Sequence, residues 1–166
     1  MGQYWKVANL DKREYVDPHK LGTGLKLWEQ LANHPGTGAA LVILCAAMPE
    51  PRGGGDLTPN EIVGRWAGDR IALVGDYAER GDLPTEHDAD LIYALCSDGG
   101  GKGQAEHWEG IADDYPSSPT DYRERARRLR AAAPYTDISE QVCAVIEAEL
   151  GGTFSGDGWR SWTYND

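Results

Sequence analysis

The chain has few cysteines, almost no phenylalanine, no long apolar run and a shortage of positive charge, and each scarcity argues against a class of protein. Its three cysteines, Cys45, Cys96 and Cys143, lie far apart with no paired spacing, which argues against a disulfide framework and against a zinc finger. Each has an apolar neighbour (Leu44, Leu95, Val142), so buried free thiols are expected. The odd count, with no apolar leader at the N-terminus, points to a reducing, cytoplasmic setting. The longest apolar run, Ala39 to Met48, is about half the ~20 residues that a membrane span requires, so no transmembrane helix is expected. The four histidines are dispersed, with none at zinc spacing, and neither a metal nor another cofactor is expected.

Lysine and arginine number 16 against 27 aspartates and glutamates, a net charge of -11. That balance argues against direct nucleic-acid binding, which needs a basic surface to displace counterions. It suits a soluble acidic protein, or an acidic face that imitates phosphates and blocks a basic partner. The basic run Arg123 to Arg130 reads as a solvated helix face. One phenylalanine stands beside six tryptophans, whose indole N–H groups favour core margins and binding surfaces.

Glycine is plentiful, at 21 residues, and pairs with aspartate at Gly55-Asp56, Gly68-Asp69, Gly75-Asp76, Gly81-Asp82 and Gly156-Asp157. Each pair is first a turn signal. Two carry candidate chemistry. Arg52-Gly53-Gly54-Gly55-Asp56 could present successive backbone N–H groups to an anion, with Arg52 adding charge, although it lacks the Gly-Lys-Ser/Thr ending of a P-loop. Trp66, Asp69 and Arg70 combine an aromatic plane, an acid and a guanidinium at a hairpin tip, a set that can stack a base and hold a ribose or carboxylate. The simpler reading of that tip is Asp69 bracing the turn and Arg70 in a surface ion pair. Asp88-Ala89-Asp90 and Asp113-Asp114 match no calcium loop and read as solvated acids, and Arg80-Gly81-Asp82 as a turn.

β-Forming side chains on either side of a turn at 10–12 predict strands over 3–9 and 13–16, helical spacing predicts a short amphipathic helix carrying Leu25, Trp28 and Ala32, and the uncharged, alanine-bearing run 39–48 predicts a central helix buried nearly all round. Two further strands, 62–66 and 70–74, are expected to form a hairpin, with Asp69 and Asp76 flanking the second roughly 20 Å apart at ~3.3 Å per residue. Residues 91–96 form a short apolar element of either type, and 97–120 reads as a mobile loop or insertion. Helices over 121–133 and from Asp137 to Leu150 follow, the latter with capping-box spacing between Asp137 and Glu140. Trp162 and Tyr164 share one face of a tail strand.

The strings Gly2-Gln3-Tyr4-Trp5-Lys6 through Asn9-Leu10-Asp11-Lys12-Arg13-Glu14-Tyr15, Gly24 to Glu29, Arg52 to Asp56, Trp66-Ala67-Gly68-Asp69-Arg70-Ile71 and Gly75-Asp76-Tyr77-Ala78 resemble a family of small uncharacterised proteins. The likeness covers roughly residues 2 to 78 and the start of the last helix, with Trp5 where the family pattern has Tyr. It implies a single domain and no activity.

The expectation is therefore one α+β domain: a mainly antiparallel sheet of the N-terminal hairpin, the 62–76 hairpin and the tail, with the buried central helix and the C-terminal amphipathic helix packed on it. With no catalytic constellation at specific spacing, a non-catalytic binding or protein-interaction domain comes first, its partner another protein or a second copy. A small enzyme or ligand-binding domain for a phosphorylated or nucleotide-like molecule is the second class. An acidic inhibitor of a nucleic-acid-binding protein is the third.

Overall fold

Strand β1 (Trp5–Asn9) turns into strand β2 (Glu14–Val16) in the computed structural model, which describes residues 2–166. The turn is built by Asn9, whose fully buried side chain accepts the backbone N–H groups of Asp11 and Lys12 at 2.9 and 2.8 Å. An asparagine folded back on the chain in this way mimics a backbone turn. Strand β3 (Ile71–Gly75) pairs antiparallel with the other edge of β1, and the short β4 (Thr136–Asp137) pairs parallel with β2, giving the order β3-β1-β2-β4.

Side chains alternate across this sheet and both faces are covered, so β2 is buried at every residue. Val7 and Val16 point into a core with helices α2 (Gly36–Cys45) and α6 (Ser139–Leu150). Ala8, Tyr15 and Val74 point the other way, into a core with α3 (Ala89–Leu95), α4 (Lys102–Asp114) and α5 (Tyr122–Ala131). The α+β class holds, but the layering differs from the expected one: helices lie on both faces. Helix α6 starts at Ser139 and not at Asp137, which ends β4; the Asp137 carboxylate accepts the Ser139 N–H at 2.8 Å. Glu140 does not close a box and instead pairs with Arg160.

The expected 62–66 strand does not form. Residues 62–69 are successive turns, and β3 pairs with β1 in place of a 62–76 hairpin. The reason lies at the C-terminus of α2, where the Ile43 and Leu44 carbonyls have no partner within the helix. The N–H groups of Gly64 and Trp66 supply one each, at 2.8 and 2.7 Å. Gly64 sits at φ 75° with the position of a Cβ only 2.5 Å from the Ala46 carbonyl oxygen. Gly64→Ala should therefore cost more than the roughly 1–2 kcal/mol of a left-handed non-glycine residue. Gly68→Ala, at φ 84° with nothing near its Cβ, should cost only that amount, and urea unfolding of the two variants gives the comparison.

Residues 97–120, expected as a mobile loop or insertion, contain helix α4. Its Ala105, Trp108 and Ala112 form a buried stripe against α5; the run Gly99–Gly101 ends where Gly101 enters the helix in the left-handed region, and Gly103 and Gly110 lie within the helix. Residues 91–96 are almost all within α3. Helix α2 is not buried all round: Val42 and Cys45 are exposed, so one of the three thiols faces solvent. Helix α1 (Leu27–Ala32) leaves Trp28 and Leu31 exposed and is held by buried Gln30, whose amide donates to the Trp5 and Leu25 carbonyls. The tail does not extend the main sheet. Strands β5 (Gly152–Ser155) and β6 (Ser161–Tyr164) form their own antiparallel pair, and Phe154 packs edge-on against Trp162 at 4.8 Å. Among the described residues no helix is long and apolar enough to cross a membrane.

Candidate functional site

The residues singled out from the sequence fall in two places that do not meet. In the 52–56 loop, the Asp56 carboxylate accepts the backbone N–H groups of Arg52 and Gly53 at 2.6 and 2.9 Å. The loop's own acid thus takes amides that an anion would need, and those two bonds hold the Asp56 carboxyl below its ordinary range. Gly53, Gly54 and Gly55 are exposed. Arg52, Gly55 and Asp56 line a shallow hollow of about 400 Å³ beside Val42 and Ala46, which none of Trp66, Asp69 and Arg70 reaches.

Trp66 is completely buried, its indole N–H donating to Glu14 at 2.8 Å, so neither ring face is open to a base. Arg65 lies beside it with Nε 3.0 Å from both Glu14 oxygens. Burial alone would raise the Glu14 pKa; the bonds from Arg65 and Trp66 and the guanidinium charge outweigh it and leave the carboxyl below its usual value. Asp69 accepts from Lys12 and from the Asn9 amide, the latter at 2.7 Å, and both bonds lower its pKa. Arg70 donates its backbone N–H and Nε to Asp11 at 2.6 and 2.8 Å and reaches Glu86. The segments 9–14 and 66–70, two of the motif strings in the sequence, are thus bound to each other.

A different set converges on the opposite face of the sheet. The first residues of the chain and the end of β3 are joined reciprocally there: Asp76 N–H donates to the Tyr4 carbonyl, and Tyr4 N–H donates to Asp76 Oδ1, both at 2.9 Å. Helices α3, α4 and α5 bring Tyr93, Trp108 and Arg125 to the same spot, and with Tyr4, Asp76 and Tyr77 they line a cleft of about 350 Å³. Tyr4 is 44% and Tyr77 58% exposed.

Two rings of this cleft already carry a cation. The Lys6 ammonium lies 4.8 Å from the Tyr93 centroid, beside Tyr15 and bonded to the Cys96 carbonyl, and the Arg125 guanidinium lies 4.1 Å from the Trp108 centroid. Arg125 also donates to the Asp90 carbonyl at 2.6 Å. The Asp90 carboxylate is held by Arg128 at 2.6 Å, with Arg125 Nε 3.4 Å away. Burial, with the negative charge of Asp76 added, pushes the Tyr93 phenol up to about 12, so the ring stays neutral. Burial raises the thiols of Cys96 and Cys143, the latter to about 12, and partial desolvation with the nearby Asp69 charge raises that of exposed Cys45.

Sequence reasoning treated Asp76 only as the end of a strand. The signal was present in two motif strings, Gln3-Tyr4-Trp5 and Gly75-Asp76-Tyr77, because pairing of Trp5 with Gly75 puts Tyr4 beside Asp76. The cleft presents tyrosine and tryptophan rings around the Asp76 carboxylate, with Asp90, His107 and Arg125 also on its lining. Among the described residues no group of three or more His, Cys, Asp or Glu is placed to hold a metal ion. Comparison with family models, with curated proteins and with solved structures finds no match for this chain.

Proposed function

We propose that this protein is a non-catalytic binding domain whose ligand enters the tyrosine-lined cleft. The observation that carries this reading is the cleft itself: about 350 Å³, within the range of small-ligand pockets, with exposed Tyr4 and Tyr77 rings beside a carboxylate. Concave aromatic surface with a few convergent polar groups is the general form of a ligand site. The raised thiols favour binding over cysteine catalysis, since the thiolate is the nucleophile. Three unpaired cysteines suit a cytoplasmic location.

A fragment screen on ¹⁵N-labelled protein tests the reading. Anionic, neutral and cationic fragments should include some whose saturable shift changes cluster on Tyr4, Asp76, Tyr77, Tyr93 and the Trp108 indole. A diverse library that leaves all of these resonances unmoved would refute it.

A further inference from the structure

We propose that the ligand of this cleft carries an organic cation, an ammonium or guanidinium group, that pairs with Asp76 between the rings of Tyr4 and Tyr77; the proposal rests on the cleft being the binding site. The charges around the cleft decide the sign. Its lining continues through Asp76, Tyr77, Asp90 and Arg125 into a neighbouring hollow of about 460 Å³ that adds Arg80 and Arg128. Every arginine of this surface has a carboxylate partner: Arg80 has Asp88 at 2.9 Å, Arg128 has Asp88 and Asp90 at 3.0 and 2.6 Å, and Arg125 has Asp90 at 3.4 Å. Asp76 has none among the described residues. Its Oδ1 takes the Tyr4 N–H, and its Oδ2 receives no protein donor there.

An anion in the cleft would have to take an arginine away from its carboxylate while lying near Asp76, whereas a cation pairs a carboxylate that has no partner; the Lys6 ammonium, which also lacks a carboxylate, is bonded to the Cys96 carbonyl and is not among the lining residues. The surrounding rings favour the same sign, since the face of a tyrosine attracts a cation through its quadrupole. Lys6 over Tyr93 and Arg125 over Trp108 already use that attraction within this cleft. Tyr4 and Tyr77 are the rings left most open to a ligand. The overall charge of -11 draws cations toward the molecule from a distance. Such a group can belong to a small amine or to a basic side chain of a polypeptide, and the chemistry at Asp76 is the same for both.

The experiment is an NMR titration at fixed ionic strength, reading the amides of Tyr4, Asp76 and Tyr77. Choline is compared with its neutral isostere 3,3-dimethylbutanol and with acetate, and agmatine with an acetylated Gly-Arg-Gly amide. Choline or an arginine-type probe should bind saturably and at least about tenfold more tightly than the neutral isostere, a factor of the size expected for one desolvated cation–π or ion-pair contact. Asp76→Asn keeps an acceptor for the Tyr4 N–H and should lose about tenfold or more in cation affinity; Tyr77→Leu, at an exposed position, should weaken it without disturbing the fold. Tighter binding of the peptide than of agmatine assigns the cation to a polypeptide, and the reverse to a free amine. Failure of both choline and the arginine-type probes to bind more tightly than the neutral isostere, preference for acetate, or an unaffected Asp76→Asn variant overturns the proposal. Shifts at the cleft from neutral or anionic fragments alone overturn it while leaving the binding-domain reading intact.

Discussion

Replacing Trp66 with alanine should destabilise the protein by about 3–5 kcal/mol, the usual loss for removing a large aromatic side chain from a packed core. Trp66 has no solvent exposure and lies in the cluster of Val7, Val16, Leu44 and Ile62. Its removal leaves a cavity between α2 and the sheet. It also removes the indole N–H that Glu14 accepts at 2.8 Å, while the Gly64 and Trp66 backbone bonds to the end of α2 remain possible. Guanidinium unfolding should show a lower midpoint with little change in slope. Trp66→Phe separates the two contributions, because it retains most of the ring volume and loses the N–H; a deficit of roughly 1.5–3 kcal/mol is expected from losing the indole bond to the Glu14 carboxylate, both of whose oxygens Arg65 still reaches. A residue that served to stack a ligand would behave in the opposite way, with binding lost and stability kept. A Trp66→Ala protein as stable as the wild type would overturn the assignment of this residue to the core.

Glu14→Ala should cost about 3 kcal/mol, near the lower end of the range for removing one partner of a buried ion pair. The low end applies because the Arg65 side chain is 36% exposed and can regain water, whereas the Glu14 side chain is only 8% exposed. Arg65→Met with Glu14→Ala completes a double-mutant cycle and should recover part of that loss, since no unpaired guanidinium is left behind. The same site sets an acid limit. A carboxyl whose folded pKa lies below its unfolded value adds stability that is complete above the unfolded value and disappears as pH falls through the folded one. For Glu14 the unfolded value is near 4.5, so stability should be level above about pH 5 and fall below it. Asp69, Asp11 and Asp137 are also lowered and steepen the fall in the same direction. A Glu14→Gln variant should start lower at neutral pH and lose less on acidification. Parallel pH profiles for variant and wild type would refute the contribution assigned to Glu14.

Elements with one dominant local signal were legible in the sequence. The apolar stripe of Val142, Val145 and Ile146 places α6, the β-forming Trp5, Val7, Tyr15 and Val16 place β1 and β2, and the alanine-rich 39–48 run places α2. Where local signals conflicted, long-range bonds decided. Residues 62–66 have strand-forming side chains, yet the N–H groups of Gly64 and Trp66 are taken by the carbonyls of α2, which no local pattern announces. The glycines at 99–101 masked the stripe of Ala105, Trp108 and Ala112 that packs α4 on α5. At the Trp66–Arg70 segment, Asp69 braces the Asn9–Lys12 turn and not its own, while Arg70 lies in ion pairs with Asp11 and Glu86.

By itself the amino-acid sequence determined the α+β composition, the acidic charge, the helical and strand segments with strong local signals and the turn over residues 10–12, because these depend on residues within a few positions of each other. Tertiary structure alone decided that Trp66 faces Glu14 and not a ligand, and that Tyr4, Asp76, Tyr93, Trp108 and Arg125 enclose one cleft. Those residues come from five separate parts of the chain. Only the β1–β3 register and the packing of α3, α4 and α5 on one sheet face bring them within reach, and neither is encoded by any short stretch of sequence.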